Sequence, residues 1–311
     1  MHVVQRASDA EEPGEGGQKP RGRVTFLRDE LALSAPCMVL GGHLRKKREG
    51  RGDLRQQVVA QELGWSESKV SRIESGLNAI KLDDLERLFS LYRVDEENRE
   101  PLRELALIGK RPVWWKPWSG ITTAYLQAVL SFEDAAQRIR SYEPQYLYGL
   151  LQTPEYAEAL IGRGPDESDH AALVKLRQER QAKFAAAQGK ELICVIDEAS
   201  ILRPVGNAQI MRRQVQHLIE LNKDPRYQLR LAELSRPNLP LEVGPTTIFD
   251  FAEALLPTIA YSENFDGGLV IQDEATVDRR VVKFDELRAM SLNPSKTTQK
   301  LQHLLQSKYH R

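Results

Sequence analysis

Apolar residues recur at helical spacing between residues 54 and 76 and outline two short helices. The first helix carries an apolar stripe made of Val58, Val59, Ala60 and Leu63. Gly64 predicts a sharp turn after this helix, because glycine readily adopts the positive φ that ends a helix. Ser66 is a typical N-cap for the second helix, and Val70 and Ile73 lie one turn apart on one face of it. This pattern predicts a helix-turn-helix, whose second helix enters the major groove of DNA.

The second predicted helix, residues 66–75, has two different faces. At about 100° per residue, Val70 and Ile73 share one face. The other face carries hydroxyl groups and one guanidinium, from Ser68, Ser71, Arg72 and Ser75. Arginine pairs with guanine through two hydrogen bonds, and serine donates to or accepts from base edges, so this face favours base readout. The spacing alone leaves open the alternative of an ordinary solvated helical hairpin.

A local excess of positive charge favours nucleic-acid binding. The whole chain is neutral, with 44 basic and 44 acidic residues. Between residues 43 and 72, however, eight basic residues accompany four acidic ones. A basic module in a neutral chain indicates a confined surface for a polyanion. We interpret the run Arg45, Lys46, Lys47 and Arg48 as electrostatic support near phosphates, without a role in sequence reading.

Residues 40–92 resemble the five-helix DNA-binding domain of the phage-repressor regulators, also called the Cro/CI or XRE family. The shared residues are Leu54, Gln56, Ala60, Leu63, Gly64, Ser66, Ser68, Val70, Ser71, Ile73, Glu74 and Gly76. The resemblance implies that Gln56 approaches the DNA backbone and base edges. The family usually has a hydroxyl residue where this chain has Arg55, so we expect Asp53 to replace the missing helix cap.

The resemblance also assigns roles along the second helix. It implies that Glu67, Ser68 and Arg72 read bases and that Ser66 and Lys69 contact phosphates. A carboxylate near phosphates is tolerated only where it meets a cytosine amino group or points away, so Ser68 and Arg72 are the stronger candidates. The expected DNA-binding residues are therefore Gln56, Ser66, Glu67, Ser68, Lys69, Ser71 and Arg72.

The rest of the chain predicts a fold that is mainly α, with an α+β second domain. We predict helices at residues 82–92, 98–109, 121–140, 146–161, 170–188, 211–221 and 275–309. We predict strands at residues 191–197, 227–233, 246–251, 258–262 and 269–271. The tryptophan-rich and proline-rich segment 111–118 predicts an irregular, packed connector. The expected domains are a disordered extension at 1–36, a helix-turn-helix domain at 37–110 and a regulatory domain at 111–311.

Several segments of the second half resemble the large C-terminal domain of actinobacterial regulators that carry a Cro/CI domain at their N-terminus. These segments are residues 142–160, 197–206, 211–218 and 282–295. The resemblance covers roughly residues 112–305. It implies a regulatory module that binds partners, often a very small protein encoded beside it in an antitoxin-like arrangement. The resemblance implies no ligand residues.

Composition narrows the classes of protein to which this chain can belong. No apolar run approaches the roughly 18 residues that a membrane helix needs, and no secretory signal is present, so we expect a cytoplasmic protein. Cys37 and Cys194 could form at most one bridge. Residues 1–36 are rich in glycine, proline and charge and are expected to be disordered. We further hypothesise that translation starts at or near Met38.

Catalytic patterns are weak. Ser66 and Lys69 have the spacing of a serine–lysine pair, but a helix cap and a phosphate contact explain them better. Asp197 and Glu198 follow a buried strand, where we expect them to cap the next segment. The Gly189-Lys190 pair lacks the other residues of a phosphate loop. The six histidines form no metal-binding spacing. We therefore expect no catalytic residue, cofactor or metal.

The sequence thus predicts a transcriptional regulator that binds double-stranded DNA in a sequence-specific manner. We expect a homodimer, because one short helix supplies too few base contacts for a lone site. Two alternatives stay open. One is an antitoxin-like module that holds a small partner protein and regulates its own operon. The other is an enzyme built on the second domain.

Overall fold

The computed structural model describes residues 24–27, 34–162, 167–252, 257–264 and 267–309. Its N-terminal part is a bundle of five helices, as predicted. They are α1 (Ala35–Glu49), α2 (Gln56–Leu63), α3 (Glu67–Glu74), α4 (Leu82–Tyr92) and α5 (Glu96–Ile108). Leu44 of α1 and Leu85 and Phe89 of α4 are fully buried in the core of this bundle. The apolar stripe predicted at residues 82–92 therefore faces inward.

The second domain is built on a seven-stranded sheet. Its strands are β1 (Val24–Leu27), β2 (Arg138–Glu143), β3 (Glu191–Asp197), β4 (Tyr227–Ala232), β5 (Thr246–Asp250), β6 (Ile259–Asn264) and β7 (Gly267–Ile271). Their order in the sheet is β1-β7-β6-β5-β2-β3-β4. Strands β2, β3 and β4 are parallel, and the other pairings are antiparallel.

Helices cover both faces of this sheet. They are α6 (Ala124–Ala135), α7 (Pro154–Ile161), α8 (His170–Ala186), α9 (Glu198–Leu202), α10 (Ala208–Leu221), α11 (Glu274–Met290) and α12 (Pro294–Ser307). On one face, Phe132 of α6 packs 5.3 Å from Phe249 of β5. On the other face, the fully buried Phe284 of α11 packs against the sheet. These observations confirm a mainly α chain with an α+β second domain.

The predicted helix at residues 121–140 is wrong at its end. Helix α6 stops at Ala135, and β2 begins at Arg138. In β2 the buried Ile139 lies between two arginines whose side chains reach the other face of the sheet. This alternation is a strand period, and hydrogen bonding to β3 and β5 on both sides decides it.

Smaller differences occur elsewhere in the second domain. Of the predicted helix 146–161, only Pro154–Ile161 is α-helical, and the side chain of Thr153 caps it. Helix α9 was not predicted. The predicted terminal helix divides at Ser291 into α11 and α12, because Asn293 and Pro294 start a new helix. Trp115 is buried beside Leu130, which confirms packing at the tryptophan-rich connector.

The N-terminal extension differs from the expectation of disorder at one point. Val24–Leu27 forms strand β1, which pairs with β7 at the edge of the second domain's sheet. Residues 1–23 and 28–33, where the same expectation applies, lie outside the described residues. Met38 lies within α1 and is buried. The N–H of Ala35 donates to Ser131 Oγ of α6 at 2.7 Å, which joins the two domains.

Two further findings concern the remaining sequence expectations. Cys37 and Cys194 are both free and buried. Throughout the described ranges, the helices are too short or too polar to span a bilayer.

Candidate nucleic-acid interface

The turn between α2 and α3 has the geometry that the sequence predicted. Gly64 adopts a φ of 66°, a conformation that side chains disfavour, and so ends α2. Ser66 Oγ then accepts a hydrogen bond from the Lys69 N–H at 3.1 Å and caps α3. Gly76 follows α3 with a φ of 73°. A Cβ at Gly76 would lie 2.4 Å from the Cα of Met38, so only glycine permits this approach of the turn to α1.

The inner face of α3 is fixed by packing and by a buried charge network. Val70 and Ile73 are buried, as their spacing predicted. Glu74, which is 2% exposed, accepts hydrogen bonds from Arg48 Nε at 2.7 Å and Nη2 at 2.9 Å. Its carboxylate also accepts from the Tyr92 hydroxyl at 2.7 Å. This network ties α3 to α1 and α4, so the orientation of α3 is set from within the bundle.

The shifted pKa values of Arg48 and Tyr92 agree with this arrangement. Burial alone would lower the pKa of Arg48, but the carboxylate of Glu74 outweighs it and raises that pKa above its ordinary value. Burial and the same carboxylate raise the pKa of the Tyr92 hydroxyl. Arg48 thus stays charged in the interior, where its partner satisfies it. It belongs to the core of the bundle and not to a phosphate-facing surface.

The outer face of α3 presents polar side chains to solvent. Glu67, Ser68 and Arg72 are exposed, and Ser71 is partly exposed. Among the residues that the structure describes, the side chains of Ser68 and Arg72 make no hydrogen bond or ion pair. Ser75 departs from the predicted face, since it is buried and its hydroxyl donates to the Ser71 carbonyl at 2.6 Å. It lies in the last turn, which faces the bundle.

Lys69 has partners inside the protein. Its Nζ lies 2.9 Å from the carboxylate of Asp84 on α4 and 3.7 Å from the ring centroid of Trp65. The guanidinium carbon of Arg87 lies 5.5 Å from the centroid of the same ring. Trp65 and Asp84 are the residues that sequence reasoning missed here. The tryptophan beside the turn glycine was a visible signal, whereas the lysine–aspartate contact depends on how α4 packs.

The start of α2 also differs from its expected chemistry. Arg55 is the N-cap residue, and no side chain caps α2. The prediction that Asp53 replaces the missing cap is therefore wrong. The Asp53 carboxylate forms an ion pair with Arg51, with 3.5 Å between Oδ2 and Nη2. The Gln56 amide donates to Glu74 at 2.8 Å, so this predicted contact residue is half-buried in the interior network.

Ion pairs within the bundle reduce the local positive charge. Five of the eight basic residues counted in the sequence pair with carboxylates: Arg45 with Glu49, Lys47 with Asp95, Arg48 with Glu74, Arg51 with Asp53, and Lys69 with Asp84. Three of these carboxylates follow residue 72 and were not counted. Lys46, Arg55 and Arg72 form no ion pair within the described part of the chain. The surface charge available to DNA is thus concentrated on few side chains.

The weak catalytic patterns have structural partners. Lys69 points to Asp84, so Ser66 serves as a helix cap without a lysine base. Asp197 caps α9 through the Ala199 N–H at 2.8 Å, as expected. Glu198 forms an ion pair of 3.0 Å with Lys300. No cluster of three potential metal-ligating side chains occurs among the residues with described positions.

Comparison with known families assigns both parts of the chain. Residues 39–102 match a helix-turn-helix domain family. This range of the chain contains the turn, the capped α3 and the buried network described above. Residues 126–303 match a domain of unknown function, DUF5753. The chain belongs to the DUF5753 family. No curated protein and no solved structure matches it. The DUF5753 match covers most of the sheet, and the helix-turn-helix match identifies the N-terminal bundle as a DNA-binding domain.

Proposed function

We propose that this DUF5753 protein is a sequence-specific transcriptional regulator that places α3 in the major groove of DNA. One observation carries the proposal: Ser68 and Arg72 are exposed on one face of α3, and neither side chain has a polar partner among the described residues. The opposite face is fixed by Glu74 and by buried apolar residues. A rigid helix with free hydroxyl and guanidinium groups meets the requirements of direct base readout.

Within this proposal, each candidate residue has a defined role. Arg72 pairs with a guanine, and Ser68 and Ser71 donate to or accept from neighbouring base edges. Glu67 contacts a cytosine amino group or points away from the DNA. Ser66 contacts a phosphate at the start of α3, and Lys69, which is paired with Asp84, adds a weaker phosphate contact. Gln56 reaches the backbone at the start of α2, where its carbonyl oxygen stays available because only its amide nitrogen donates to Glu74.

We further propose that the protein binds as a homodimer. Helix α3 has eight residues, and one such helix contacts too few base pairs to specify a single genomic site. Two copies would read two half-sites separated by about 34 Å, one turn of DNA, or by a multiple of it. The second domain then serves regulation and assembly without catalysis. Partnership with a small protein stays a prediction from the sequence.

Selection from random duplexes with the full chain tests the proposal. We expect an enriched, repeated motif. Against this motif, Arg72→Ala should lose about 1–3 kcal/mol of discrimination over a random duplex. Arg236→Ala, which removes an exposed arginine of the second domain, is the matched control and should lose none. Failure to enrich any motif would contradict specific binding. Equal weakening of Arg72→Ala on both duplexes would show that Arg72 contacts only phosphate.

A further inference from the structure

A cavity lies between the tryptophan-rich connector and helices α6 and α8 of the second domain. Its volume is about 200 Å³, and its apolar lining comes from Trp114, Leu130, Phe184 and Ala187. Leu130 and Phe184 are buried and form its inner part, whereas Trp114 is partly exposed. An apolar cavity of about 150 Å³ holds a benzene ring, so this one accommodates a single ring with a small polar group.

A buried ion pair forms the polar part of the inner wall. Glu133 of α6 accepts hydrogen bonds from two nitrogens of Arg180 on α8 and from the Tyr148 hydroxyl. Burial alone would lower the pKa of Arg180, but the carboxylate of Glu133 outweighs it and raises that pKa. The two opposite charges balance each other within the protein. This pair therefore leaves no net charge for a ligand to neutralise.

The other charges around the cavity give an excess of one positive charge. The lining holds three basic side chains, Arg180, Lys183 and Lys190, and two acidic ones, Glu133 and Asp134. Without the Glu133–Arg180 pair, two lysines remain against one aspartate. Neither lysine forms an ion pair within the described part of the chain. The cavity can thus accept one negative charge.

Lys190 has a hydrogen-bond donor to spare at this cavity. Its Nζ donates to the carbonyl oxygens of Glu133 at 2.7 Å and of Asp134 at 2.6 Å, at the end of α6. An ammonium group carries three N–H donors, so one of them is left over. Burial lowers the pKa of Lys190, although the carboxylates of Asp134 and Glu133 act in the opposite direction. The protein thus balances the charge of this half-buried ammonium incompletely.

Lys183 supplies a second cation at the mouth of the cavity. Its side chain is exposed, and its Nζ lies 5.2 Å from the ring centroid of Trp114. Among the described residues, the Lys183 side chain has no hydrogen bond or ion pair. A cation that contacts an aromatic face keeps its N–H donors for an anion. The cavity therefore combines an apolar inner part with two lysines that have donors available.

We propose that this cavity binds a small aromatic monocarboxylate, whose ring lies against Leu130 and Phe184 and whose carboxylate meets Lys183 and Lys190. Charge-assisted hydrogen bonds from the two ammonium groups hold the carboxylate, and burial of the ring covers the apolar lining. A cationic ligand would add to the existing excess of positive charge. An anion without an apolar body would leave the inner part uncovered. Ligand pockets in general combine an apolar lining with a few placed polar groups.

Benzoate is a suitable probe, with three comparisons at matched ionic strength. Benzyl alcohol is neutral, benzylamine is cationic, and acetate lacks the ring. Titrating the ¹⁵N-labelled full chain with benzoate should shift the indole N–H resonance of Trp114, which the variant Trp114→Phe assigns. The dissociation constants from these titrations should place benzoate about tenfold or more below each comparison.

Three lysine variants test the position of the carboxylate. Lys190→Met removes a half-buried charged donor and should weaken benzoate binding about tenfold or more. Lys183→Met removes an exposed charge at the mouth and should weaken it about threefold. Lys175→Met is the matched control, because it removes an exposed lysine of α8 about 12 Å away along the helix, outside the cavity. Its affinity for benzoate should be unchanged.

Four results would overturn this proposal. They are an absence of a shift at Trp114 with benzoate, equal or tighter binding of benzylamine, an unchanged affinity in Lys183→Met, and equal weakening in Lys175→Met. Circular dichroism establishes that each variant is folded. If Lys190→Met does not fold, Lys183→Met decides the role of the lysines by its threefold loss. The result is independent of DNA binding, because no residue of α3 lines the cavity.

Discussion

Lys69 on α3 and Asp84 on α4 form an ion pair of 2.9 Å at the edge of the proposed DNA interface. The ammonium of Lys69 also lies 3.7 Å from the ring centroid of Trp65. The charge of this lysine is therefore already balanced in the free protein. A residue that the sequence assigned to phosphate contact has a structural role between two helices, and any phosphate must compete with Asp84 for it.

Substitutions of this pair test how far Lys69 contributes to DNA affinity. One phosphate contact contributes about 0.9 to the slope of log affinity against log salt concentration. We expect Lys69→Ala to reduce that slope by less than this amount, because Asp84 neutralises the lysine. Asp84→Asn should strengthen binding to all duplexes and steepen the slope. Binding titrations over a range of salt concentrations measure the slopes of both variants, with Arg236→Ala as control. A full unit lost in Lys69→Ala would show that the lysine leaves Asp84 for a phosphate.

The network around Glu74 predicts a large effect on stability. Glu74→Ala leaves the buried Arg48 without its partner, and breaking a buried ion pair in this way costs about 3–5 kcal/mol. Tyr92→Phe removes one hydroxyl donor and should cost about 1 kcal/mol. Unfolding in denaturant, followed by circular dichroism, measures both free energies. Glu86→Gln serves as control. It breaks the ion pair of Glu86 with Arg103, which lies nearer the surface, and should cost less than about 1 kcal/mol. Equal costs for Glu74→Ala and Glu86→Gln would contradict a structural role for the network.

The pKa of Glu143 predicts a dependence of stability on pH. Its ordinary value is 4.5, and the folded protein raises it to about 8, chiefly through burial and then through Glu263. The folded state thus binds this proton more tightly than the unfolded chain. The resulting stabilisation is fully present below the ordinary pKa and is lost as pH rises through about 8. The raised pKa of Glu263 acts in the same direction. Other titratable groups near these two glutamates are Tyr261, Arg177, Arg180 and Cys194.

Thermal unfolding between about pH 5 and 8.5 at constant ionic strength measures this effect. The wild type should lose stability with rising pH more steeply than Glu143→Gln, which cannot titrate at this position. Asp278→Asn, which neutralises an exposed carboxylate on α11, is the control and should follow the wild type. Parallel curves for the wild type and Glu143→Gln would show that the pKa of Glu143 is ordinary in the folded protein.

Truncation tests how much the first turn of α1 stabilises the protein. A chain beginning at residue 34 keeps Ser34, whose hydroxyl caps α1 through the Cys37 N–H, and the Ala35 bond to Ser131. A chain beginning at Met38 loses both and should be about 1–2 kcal/mol less stable. The difference in free energy of unfolding between the two truncated chains is the measurement. Equal stability would show that the first turn of α1 contributes nothing.

Local chemistry explains why the helix-turn-helix was predictable. Gly64, Ser66 and the apolar spacing of Val70 and Ile73 act within a few residues of chain, so their effect is visible in sequence. Strand β2 was missed for the opposite reason. Its six residues are held by β3, some fifty residues away, and by β5, more than one hundred residues away, and sequence spacing carries no record of these partners.

The sequence by itself determined the two-part organisation, the turn at Gly64 and the hydroxyl-and-arginine face of α3, because helix periodicity and capping are local. Tertiary packing decided which charges remain available: Arg48 and Lys69 pair with carboxylates on other helices, whereas Arg72 stays exposed. Packing also brought Glu143 and Glu263 to one edge of the sheet from positions 120 residues apart. Long-range ion pairs and sheet register depend on the folded arrangement, since they join groups that the chain alone leaves far apart.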